Sequence, residues 1–374
     1  MNRRPSQSRT GFDSFSPQHT AHFKAAQPGG EFFEPKPRAS LGRRLLLALL
    51  LMTLIALAVN LAVNQFVRVA RVTVPIRRMD PAFEGYTLLQ ISDLKGATYG
   101  SNQALIRFAL QNEDFDAVVF TGDMVSSRGN AQPLYALIEM LRELKPDAPI
   151  YMIPGDKDPL PASMSYATGG SPFAPWVLGA KQRGGQLLSA PVQIERDGHT
   201  LWLTTSALLS LGMDTMQAQF ERQYLDALAD GDENAIELTT YNLQWLTETR
   251  NARAKMTDAD VYIALTHVPP ADEELESAYP GSLRERVHLV LCGHYQGGLI
   301  RLPFAGALFI PSQNLPLYGL LPGADTYFGL TRKGRTYLYV SPGLGGNDGL
   351  YPLPFFRLFN PPTVSLISLT TSSL

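Results

Sequence analysis

Leu291-Cys292-Gly293-His294-Tyr295-Gln296-Gly297-Gly298 is the stretch that decides the fold of this 374-residue chain. The apolar run from Val287 to Cys292 predicts a buried strand, and it ends directly on a glycine-rich turn that carries a histidine. Glycines allow the backbone to turn sharply after a strand. The stretch therefore predicts a loop with polar side chains at the carboxyl end of a core strand.

Four further segments repeat this arrangement of a short apolar run that ends on polar residues. The runs are Tyr86 to Ile91, Ala117 to Thr121, Ile150 to Ile153 and Val261 to Thr266. The polar segments at their ends are Ile91-Ser92-Asp93-Leu94-Lys95, Thr121-Gly122-Asp123, Pro154-Gly155-Asp156-Lys157-Asp158 and Thr266-His267-Val268-Pro269. Polar residues at strand ends converge at one edge of a sheet, where side chains from distant parts of the sequence can meet one ion. The order predicts a layered α/β fold with a single site.

Together the five segments resemble the motifs of the calcineurin-like metallophosphoesterases, in particular their membrane-associated bacterial branch. The family pattern is Asp-x-His, Gly-Asp, Gly-Asn-His-Asp, a lone His and Gly-His-x-His-Gly-Gly, and the resemblance runs from about Gly85 to Leu369. It implies a two-sheet β-sandwich flanked by helices, and hydrolysis of a phosphoester with two divalent ions. We therefore expect an α/β fold of this type at residues 85–370, preceded by one N-terminal transmembrane helix.

The resemblance implies that the first metal site of the family is lost in this chain. The family holds this metal with the first Asp, the His two residues later, the bridging Asp and the last His of the turn. The chain keeps Asp93 and Asp123 but has Lys95 and Gln296 at the two histidine positions. A protonated lysine has no lone pair to donate and repels a cation. We expect the Lys95 ammonium between the two carboxylates, in place of the metal.

The second metal site is retained in the sequence. The resemblance implies the ligands Asp123, Asp156, His267 and His294, with Asp93 as a further candidate. Such carboxylate and imidazole ligands suit Mn, Fe or Zn, and we expect one ion at most. Lys157 stands where the family has the histidine that stabilises phosphate charge or protonates the leaving group. Lysine can offer charge to a phosphate oxygen, but it is a poor general acid at neutral pH.

The composition excludes two classes of protein. The formal net charge is −2, whereas nucleic-acid-binding domains usually carry a basic patch or a pI above about 9, so no nucleic-acid partner is expected. The single cysteine, Cys292, cannot form an internal disulfide, which excludes a disulfide-stabilised secreted scaffold. The chain is 45% hydrophobic, and one globular domain of roughly 290 residues is the simplest interpretation.

An apolar run from Leu45 to Val63, interrupted only by Thr53 and Asn60, predicts a transmembrane helix. As a helix that rises about 1.5 Å per residue, it matches the hydrocarbon thickness of a bilayer. A cleaved signal peptide has a similar core, but the 44 residues ahead of the run exceed its usual amino-terminal region. We therefore favour an anchor at residues 41–66 and expect none of its residues in the core of the domain.

The positive charges near this helix are almost balanced between its two sides. The arginines and lysines of the first 24 residues tip the balance towards a cytoplasmic N-terminus. We therefore expect a single-pass protein of the cell membrane with an extracytoplasmic domain, which the resembling branch also implies. Residues 1–40 are rich in Ser, Pro, Gln and Gly without apolar periodicity, and we expect a disordered cytoplasmic tail.

The remaining segments predict helices, an insertion and a second sheet. Apolar periodicity predicts helices at Asn102 to Asn112, Pro133 to Leu144, Met213 to Ala229 and Leu238 to Ala254. An insertion at about 160–236 is expected to begin with a loop at 160–185, and it is either a lid or partner surface or a segment without a role at the site. We expect the second sheet between Ala307 and Leu369, including the strands Thr336 to Ser341 and Thr363 to Ser368.

Three functions remain compatible with the sequence. The first is a membrane-anchored phosphoesterase with an altered single-metal site, acting on a small phosphorylated or lipid-linked compound of the cell envelope. The second is a catalytically inactive pseudo-phosphoesterase that acts as a binding or scaffold module, and the third is a metal-independent structural domain. His267 and His294 favour metal binding, whereas lysine and glutamine at histidine positions disfavour fast catalysis. The sequence identifies no protein partner.

Overall fold

The computed structural model describes most of the chain. The described residues are 40–64, 66–126, 128–167, 171–210, 212–276, 283–302, 306–310, 320–323, 327–346 and 357–371. The expected disordered tail, residues 1–40, lies outside the described residues except for Ser40.

The helices of the described residues are α1 (Leu41–Val63), α2 (Ala104–Leu110), α3 (Gln132–Leu144), α4 (Met164–Ala167), α5 (Pro175–Gln182), α6 (Ser206–Ser210), α7 (Met213–Asp230), α8 (Glu233–Lys255) and α9 (Asp272–Glu276). Short 3-10 helices are formed by Pro81–Phe83, Ser101–Gln103 and Leu283–Arg286. The strands are β1 (Arg68–Pro75), β2 (Thr87–Ile91), β3 (Ala117–Thr121), β4 (Ile150–Ile153), β5 (Gly185–Leu187), β6 (Val192–Arg196), β7 (His199–Thr205), β8 (Val261–Leu265), β9 (Leu289–Cys292), β10 (Ile300–Leu302), β11 (Gly306–Phe309), β12 (Gly329–Lys333), β13 (Thr336–Val340) and β14 (Thr363–Thr370).

Two six-stranded sheets form the framework, and β10 and β11 form a small ribbon beside them. The first sheet has the order β1-β14-β2-β3-β4-β5, and the second has the order β12-β13-β9-β8-β7-β6. Strands β2, β3, β4 and β5 are parallel to one another, as are β7, β8, β9 and β13. The carboxyl ends of several strands in each sheet therefore lie at one edge of that sheet.

The strands that carry the motifs are buried on both faces, which explains why their sequences are continuous apolar runs. Side chains such as Leu88, Val119, Ile263 and Leu289 form one core cluster that joins the two sheets. The opposite side of the first sheet packs against α2, α3 and α5. Cys292 is fully buried in a third cluster that belongs to the second sheet, as expected for a small apolar filler. The architecture is the expected sandwich with flanking helices.

The placement of β14 differs from the sequence prediction. Thr363 to Ser368 was expected in the second sheet, but β14 lies in the first sheet, parallel to β1 and antiparallel to β2. Nearly all of its side chains are buried, and such a strand needs a neighbour on each edge and a layer on each face. The position between β1 and β2 provides both. Strand β13 lies in the second sheet, as predicted.

The loop prediction for residues 160–185 is also wrong in its second half. Helix α5 begins with Pro175 at its first turn, where proline fits a helix well, and buries Trp176, Val177 and Ala180 against the first sheet. Strand β5 then begins at Gly185 and extends that sheet by one edge strand. Further along, α7 and α8 pack against each other as a helical hairpin. The segment therefore contributes to the core of the domain.

Helix α1 is long and apolar enough to cross a membrane, with a mean hydropathy of 2.7 over its most apolar window. Its last residues, from Leu54, belong to the same compact unit as the two sheets. Asn60 in this part is buried, donates to the Arg357 carbonyl at 2.6 Å and accepts from the Phe359 backbone N–H at 2.9 Å. The expectation that the anchor contributes nothing to the packed domain is therefore wrong at Asn60.

Candidate functional site

The five sequence motifs meet at the carboxyl ends of five strands. Strands β2, β3 and β4 of the first sheet lead into Asp93, Asp123 and Asp156, and β8 and β9 of the second sheet lead into His267 and His294. Because the strands are parallel within each sheet, their ends lie at one edge, and two groups of carboxylate and imidazole atoms gather there, within 4.8 Å of one another in each group. One group is Asp156, His267 and His294, and the other is Asp93, Asp123 and His267.

Lys95 lies between the two buried carboxylates of the first sheet. Its Nζ is 3.2 Å from Asp123 Oδ2 and 3.9 Å from Asp93 Oδ1, and the lysine side chain is only 7% exposed. Gln296 adds to this arrangement, because its Nε2 donates to Asp93 Oδ1 at 3.3 Å. The other oxygen of Asp93 accepts hydrogen bonds from Ser92 Oγ and from the His294 backbone N–H. The residues at the two histidine positions of the family thus neutralise and bind the carboxylates.

The second group of side chains is more open to solvent. His267 Nε2 is 3.0 Å from Asp156 Oδ1 and 3.4 Å from Asp123 Oδ2. His294 Nδ1 is 3.2 Å from the same Asp156 oxygen and 3.3 Å from His267 Nε2. The Asp156 side chain is 37% exposed and that of His294 is 18% exposed, so the group opens to solvent. Three atoms able to bind a divalent ion therefore converge on one accessible point, and Asp123 Oδ2 lies next to His267.

The orientation of His267 is fixed by its other ring nitrogen. His267 Nδ1 is 2.8 Å from the Thr121 carbonyl oxygen, so an N–H at Nδ1 donates to that oxygen and leaves Nε2 facing the carboxylates. Burial by itself lowers the pKa of His267, but the carboxylates, led by that of Asp123, outweigh it and raise the pKa to about 11. In turn, the hydrogen bond from His267 is the main cause that holds the pKa of Asp156 well below its ordinary value. A proton on His267 thus takes the role of a cation in this group.

Lys157 lies at the rim of the site. Its Nζ is 2.9 Å from Asp156 Oδ2, and its side chain is 53% exposed. Its backbone N–H donates to Asp123 Oδ1 at 2.9 Å, which fixes the position of that carboxylate. The ammonium group therefore lies at the solvent-exposed rim, paired with Asp156.

Two residues without a role in the sequence analysis shape the site, and Asp158 is the first. Its partly buried carboxylate accepts the Val125 backbone N–H at 2.7 Å and the Gly155 backbone N–H at 2.8 Å. It thereby joins the loop after β3 to the loop after β4. Burial raises the pKa of this carboxyl group above its usual value. The motif Pro154 to Asp158 contained this residue, but nothing in the sequence distinguished a carboxylate that joins loops from one that binds a ligand.

Arg357 is the second residue that the sequence did not reveal. Its side chain is 1% exposed, and burial lowers the pKa of its guanidinium to about 10. The group donates to backbone carbonyls of the loops that surround the site, namely those of Gln296, Pro342, Leu344, Gly345 and Asn360. One of these loops binds Asp93 directly, because the Gly345 N–H donates to the Asp93 carbonyl at 2.6 Å. Arg357 therefore holds together the backbone on which the site is built.

The backbone of the site is strained. Asp93, Lys95, Asp123, His294 and Gln296 all have φ between 50° and 70°, a left-handed conformation that costs energy for residues other than glycine. Gly293 permits the close approach of the two sheets there, since a Cβ at this position would lie 1.9 Å from Ser92 Oγ. Strain of this kind persists only where the surrounding structure enforces it. The surrounding fold therefore enforces the strained turn from Gly293 to Gly298 and fixes the positions of its side chains.

The second group fits one divalent ion by its chemistry. The one carboxylate and two imidazoles of this group, with Asp123 beside His267, form a common donor set for Mn, Fe or Zn. Asp123 Oδ2 is buried between the Lys95 ammonium at 3.2 Å and His267 Nε2 at 3.4 Å, so it lies where the two groups meet. The first group does not fit a second ion, because the Lys95 ammonium lies between its carboxylates.

The motif region matches the family model of the calcineurin-like phosphoesterases over residues 86–296, which include the first four motifs and the fifth as far as Gln296. The chain belongs to this family. The uncharacterized metallophosphoesterase YkuE of Bacillus subtilis (strain 168) is 24% identical over 269 residues, which are 70% of this chain and 73% of YkuE. The calcineurin-like phosphoesterases are a metal-dependent family. By the motif resemblance described above, Lys95 and Lys157 stand at positions where histidine is expected.

Two solved structures are similar at lower identity. The phosphopantetheinyl hydrolase PptH of Mycobacterium tuberculosis is 12% identical with a TM-score of 0.35, and the match covers 70% of this chain and 91% of PptH. The protein TT1561 of Thermus thermophilus is 11% identical with a TM-score of 0.34, and the match covers 70% of this chain and 90% of TT1561.

Proposed function

We propose that this calcineurin-like phosphoesterase is anchored in the membrane and hydrolyses a phosphoester with one divalent ion, and that Lys95 takes the place of the family's first ion. The observation that carries the proposal is the convergence of His267 Nε2, His294 Nδ1 and Asp156 Oδ1, which lie 3.0 to 3.3 Å apart. One carboxylate oxygen and two imidazole nitrogens that converge in this way form a donor set for one divalent ion.

Asp123, Asp156, His267 and His294 would hold the ion in this proposal. A divalent ion in such a set polarises a phosphoryl oxygen and makes a water molecule a better nucleophile. The Thr121 carbonyl supports this role, because it binds Nδ1 of His267 and so makes Nε2 the ring nitrogen that faces Asp123 and Asp156. The sequence position of each ligand matches the second metal of the family, and the geometry is compatible with that assignment.

The remaining side chains act on the substrate and on the carboxylates. Lys95 neutralises Asp93 and Asp123, so that a phosphate dianion meets less negative charge at the floor of the site. The exposed ammonium of Lys157 binds a phosphate oxygen and orients it beside Asp156. Because lysine is a poor general acid at neutral pH, the protein favours esters whose leaving group departs without protonation.

The substrate class follows from the anchor. Helix α1 is long and apolar enough to span a membrane, and the positive charges of the N-terminal tail favour a cytoplasmic N-terminus. The site would then face the outside of the cell membrane. We therefore propose a small phosphorylated or lipid-linked compound of the cell envelope as the substrate.

A second candidate function is that of an inactive relative that binds a ligand without hydrolysis. The observation in its favour is that Lys95 and Gln296 satisfy the Asp93 and Asp123 carboxylates in place of a first metal. A site closed in this way keeps its shape without catalysis. The two candidates differ in one property, which is turnover that depends on His267.

Hydrolysis of bis(4-nitrophenyl) phosphate by the full chain in detergent, with Mn²⁺ added, tests the proposed function. We expect turnover by the native protein and its loss in the His267→Ala variant. His199→Ala is the matched control, because His199 is half exposed and pairs with Asp80, which is not in any motif. An inert native protein that still binds Mn²⁺ would support the second candidate. Equal rates for the native and His267→Ala proteins would contradict the proposal.

A further inference from the structure

A cavity of about 180 Å³ lies between the edges of the two sheets, away from the side chains of the five motifs. It is bordered by β1 and β14 of the first sheet and by β12 and β13 of the second. Its apolar wall includes Val72, Phe328, Leu330 and Pro342. A volume of about 10 to 15 Å³ is enough for one water molecule, so this cavity has room for a ligand group.

Two arginines line the cavity without an acidic partner among the described residues. Arg68 and Arg301 lie close enough for the charge of Arg68 to lower the pKa of Arg301, in addition to the larger effect of burial. Two positive charges that share a cavity without a carboxylate repel each other. An anion bound between them would attract both and offset this repulsion. The cavity is therefore electrostatically suited to a negatively charged ligand.

The Arg301 side chain is held in place with one nitrogen free. Its Nε donates to the Gly297 carbonyl at 2.6 Å, and its guanidinium lies 4.2 Å from the ring centre of Phe328. Its Nη2 is buried and has no hydrogen-bond partner among the described residues. Asn360 also lines the cavity, and its Oδ1 is buried with no donor in the part of the chain that the structure describes. A buried donor and a buried acceptor without partners are costly unless a ligand satisfies them.

The location of Arg68 indicates where the ligand comes from. Arg68 begins β1, only five residues after Val63, the last residue of the helix that is apolar enough to span a membrane. Basic residues directly beside such a span are attracted to anionic lipid head groups. A phospholipid combines the required features, because it has a phosphate for the arginines, hydroxyl donors in some head groups and apolar chains for the wall.

We propose that the cavity binds one anionic phospholipid, with its phosphate between Arg68 and Arg301 and its apolar part against Val72 and Leu330. A head-group hydroxyl, as in phosphatidylglycerol, donates to Asn360 Oδ1. The site is separate from the proposed catalytic centre and does not depend on it, because none of the ligand side chains of that centre borders the cavity. The lipid fixes the edge of the sandwich at the membrane surface.

Native mass spectrometry of the full chain in a non-ionic detergent tests this proposal. The probes are dioctanoyl phosphatidylglycerol, dioctanoyl phosphatidylcholine and inorganic phosphate. We expect one retained phosphatidylglycerol per chain and weaker retention of phosphatidylcholine, whose head group has no net charge. Arg68→Gln should weaken phosphatidylglycerol binding about tenfold, the size expected for one charge-assisted hydrogen bond.

Arg71→Gln is the matched control for this experiment. Arg71 lies on the same strand but does not border the cavity, and it pairs with Glu113. Its loss removes the same charge at nearly the same distance from the span and should leave lipid retention unchanged. Leu330→Trp fills the cavity without a change in charge and should abolish retention. Equal losses for Arg68→Gln and Arg71→Gln, equal retention of the two lipids, or binding of inorganic phosphate as tight as that of the anionic lipid would overturn the proposal.

Discussion

At the residue scale, the ammonium of Lys95 compensates the charge of two buried carboxylates. It lies within 4 Å of two carboxylates that are almost completely buried. Burial of two like charges is costly unless a cation compensates them. The same reasoning explains why Lys157, which pairs with the half-exposed Asp156, is of less importance for stability.

This difference leads to a stability prediction for the two lysines. Lys95→Met leaves Asp93 and Asp123 without their cation and should lower the melting temperature by about 5 °C or more, because removal of one partner from a buried pair costs about 3 to 5 kcal/mol. Lys157→Met is the matched control and should change it by about 2 °C or less. Differential scanning fluorimetry of the full chain without added metal measures both. A smaller effect for Lys95→Met than for Lys157→Met would mean that the Lys95 ammonium is not the cation of this cluster.

Substitution of the altered residues by those of the family pattern should restore a two-metal site. The variant Lys95→His, Gln296→His, Lys157→His and Asp156→Asn restores the family's residues at every altered position. We expect a second bound ion and a rise in hydrolysis of bis(4-nitrophenyl) phosphate of at least about 100-fold, because two ions stabilise both the attacking and the leaving oxygen. Metal analysis and initial rates are the measurements. A variant that still binds a single ion would show that the backbone around the strand ends no longer supports the first site.

The motif residues were predictable from the sequence, whereas their supports were not. Asp93, Asp123, Asp156, His267 and His294 follow short apolar runs, so their convergence follows from strand order alone. Asp158 and Arg357 act through backbone atoms of distant loops, and such contacts leave no pattern of spacing in the sequence. Arg357 is separated from the nearest motif by a long stretch, so only the folded chain brings it to the site.

At the scale of elements, the strands of the core were the most predictable feature. Strands β3 and β4 have the predicted bounds, and β2, β8 and β9 differ from them by one or two residues. Periodicity also predicted α3 and α7 closely. It did not predict the sheet to which β14 belongs, because a strand buried on both faces has no polar side that indicates its neighbours. Sheet membership depends on contacts between residues that are far apart in sequence.

The last part of α1 gives a prediction at the same scale. Asn60→Leu keeps the helix apolar but leaves the Phe359 N–H without its Asn60 acceptor, while the Arg357 carbonyl keeps the Asn64 Nδ2 donor at 2.6 Å. We expect faster hydrogen exchange at residues 357–360, because an unpaired backbone group destabilises the segment by about 1 to 3 kcal/mol. Thr53→Ala is the control, since Thr53 bonds only within its own helix, to the Leu49 carbonyl. Unchanged hydrogen exchange at residues 357–360 in Asn60→Leu would show that the helix does not stabilise the segment that carries Arg357.

At the scale of the whole molecule, the chain combines an apolar helix with a sandwich that has its own core. The two sheets begin only at Arg68, and the clusters that join them contain no residue of the helix. Removal of residues 1–66 should therefore give a folded domain that is soluble without detergent, although it loses the hydrogen bonds of Asn60. Size-exclusion chromatography and circular dichroism are the measurements. A fragment that aggregates in the absence of detergent would contradict this division of the chain.

The metal content of the purified full chain tests the central claim most directly. Elemental analysis after equilibration with Mn²⁺, Fe²⁺ or Zn²⁺ and removal of free metal counts the ions per chain. We predict one ion for the native protein and none for His267→Ala, because Lys95 takes the place of the first ion while Asp123, Asp156, His267 and His294 hold the other. Two stoichiometric ions in the native protein would contradict this account of Lys95.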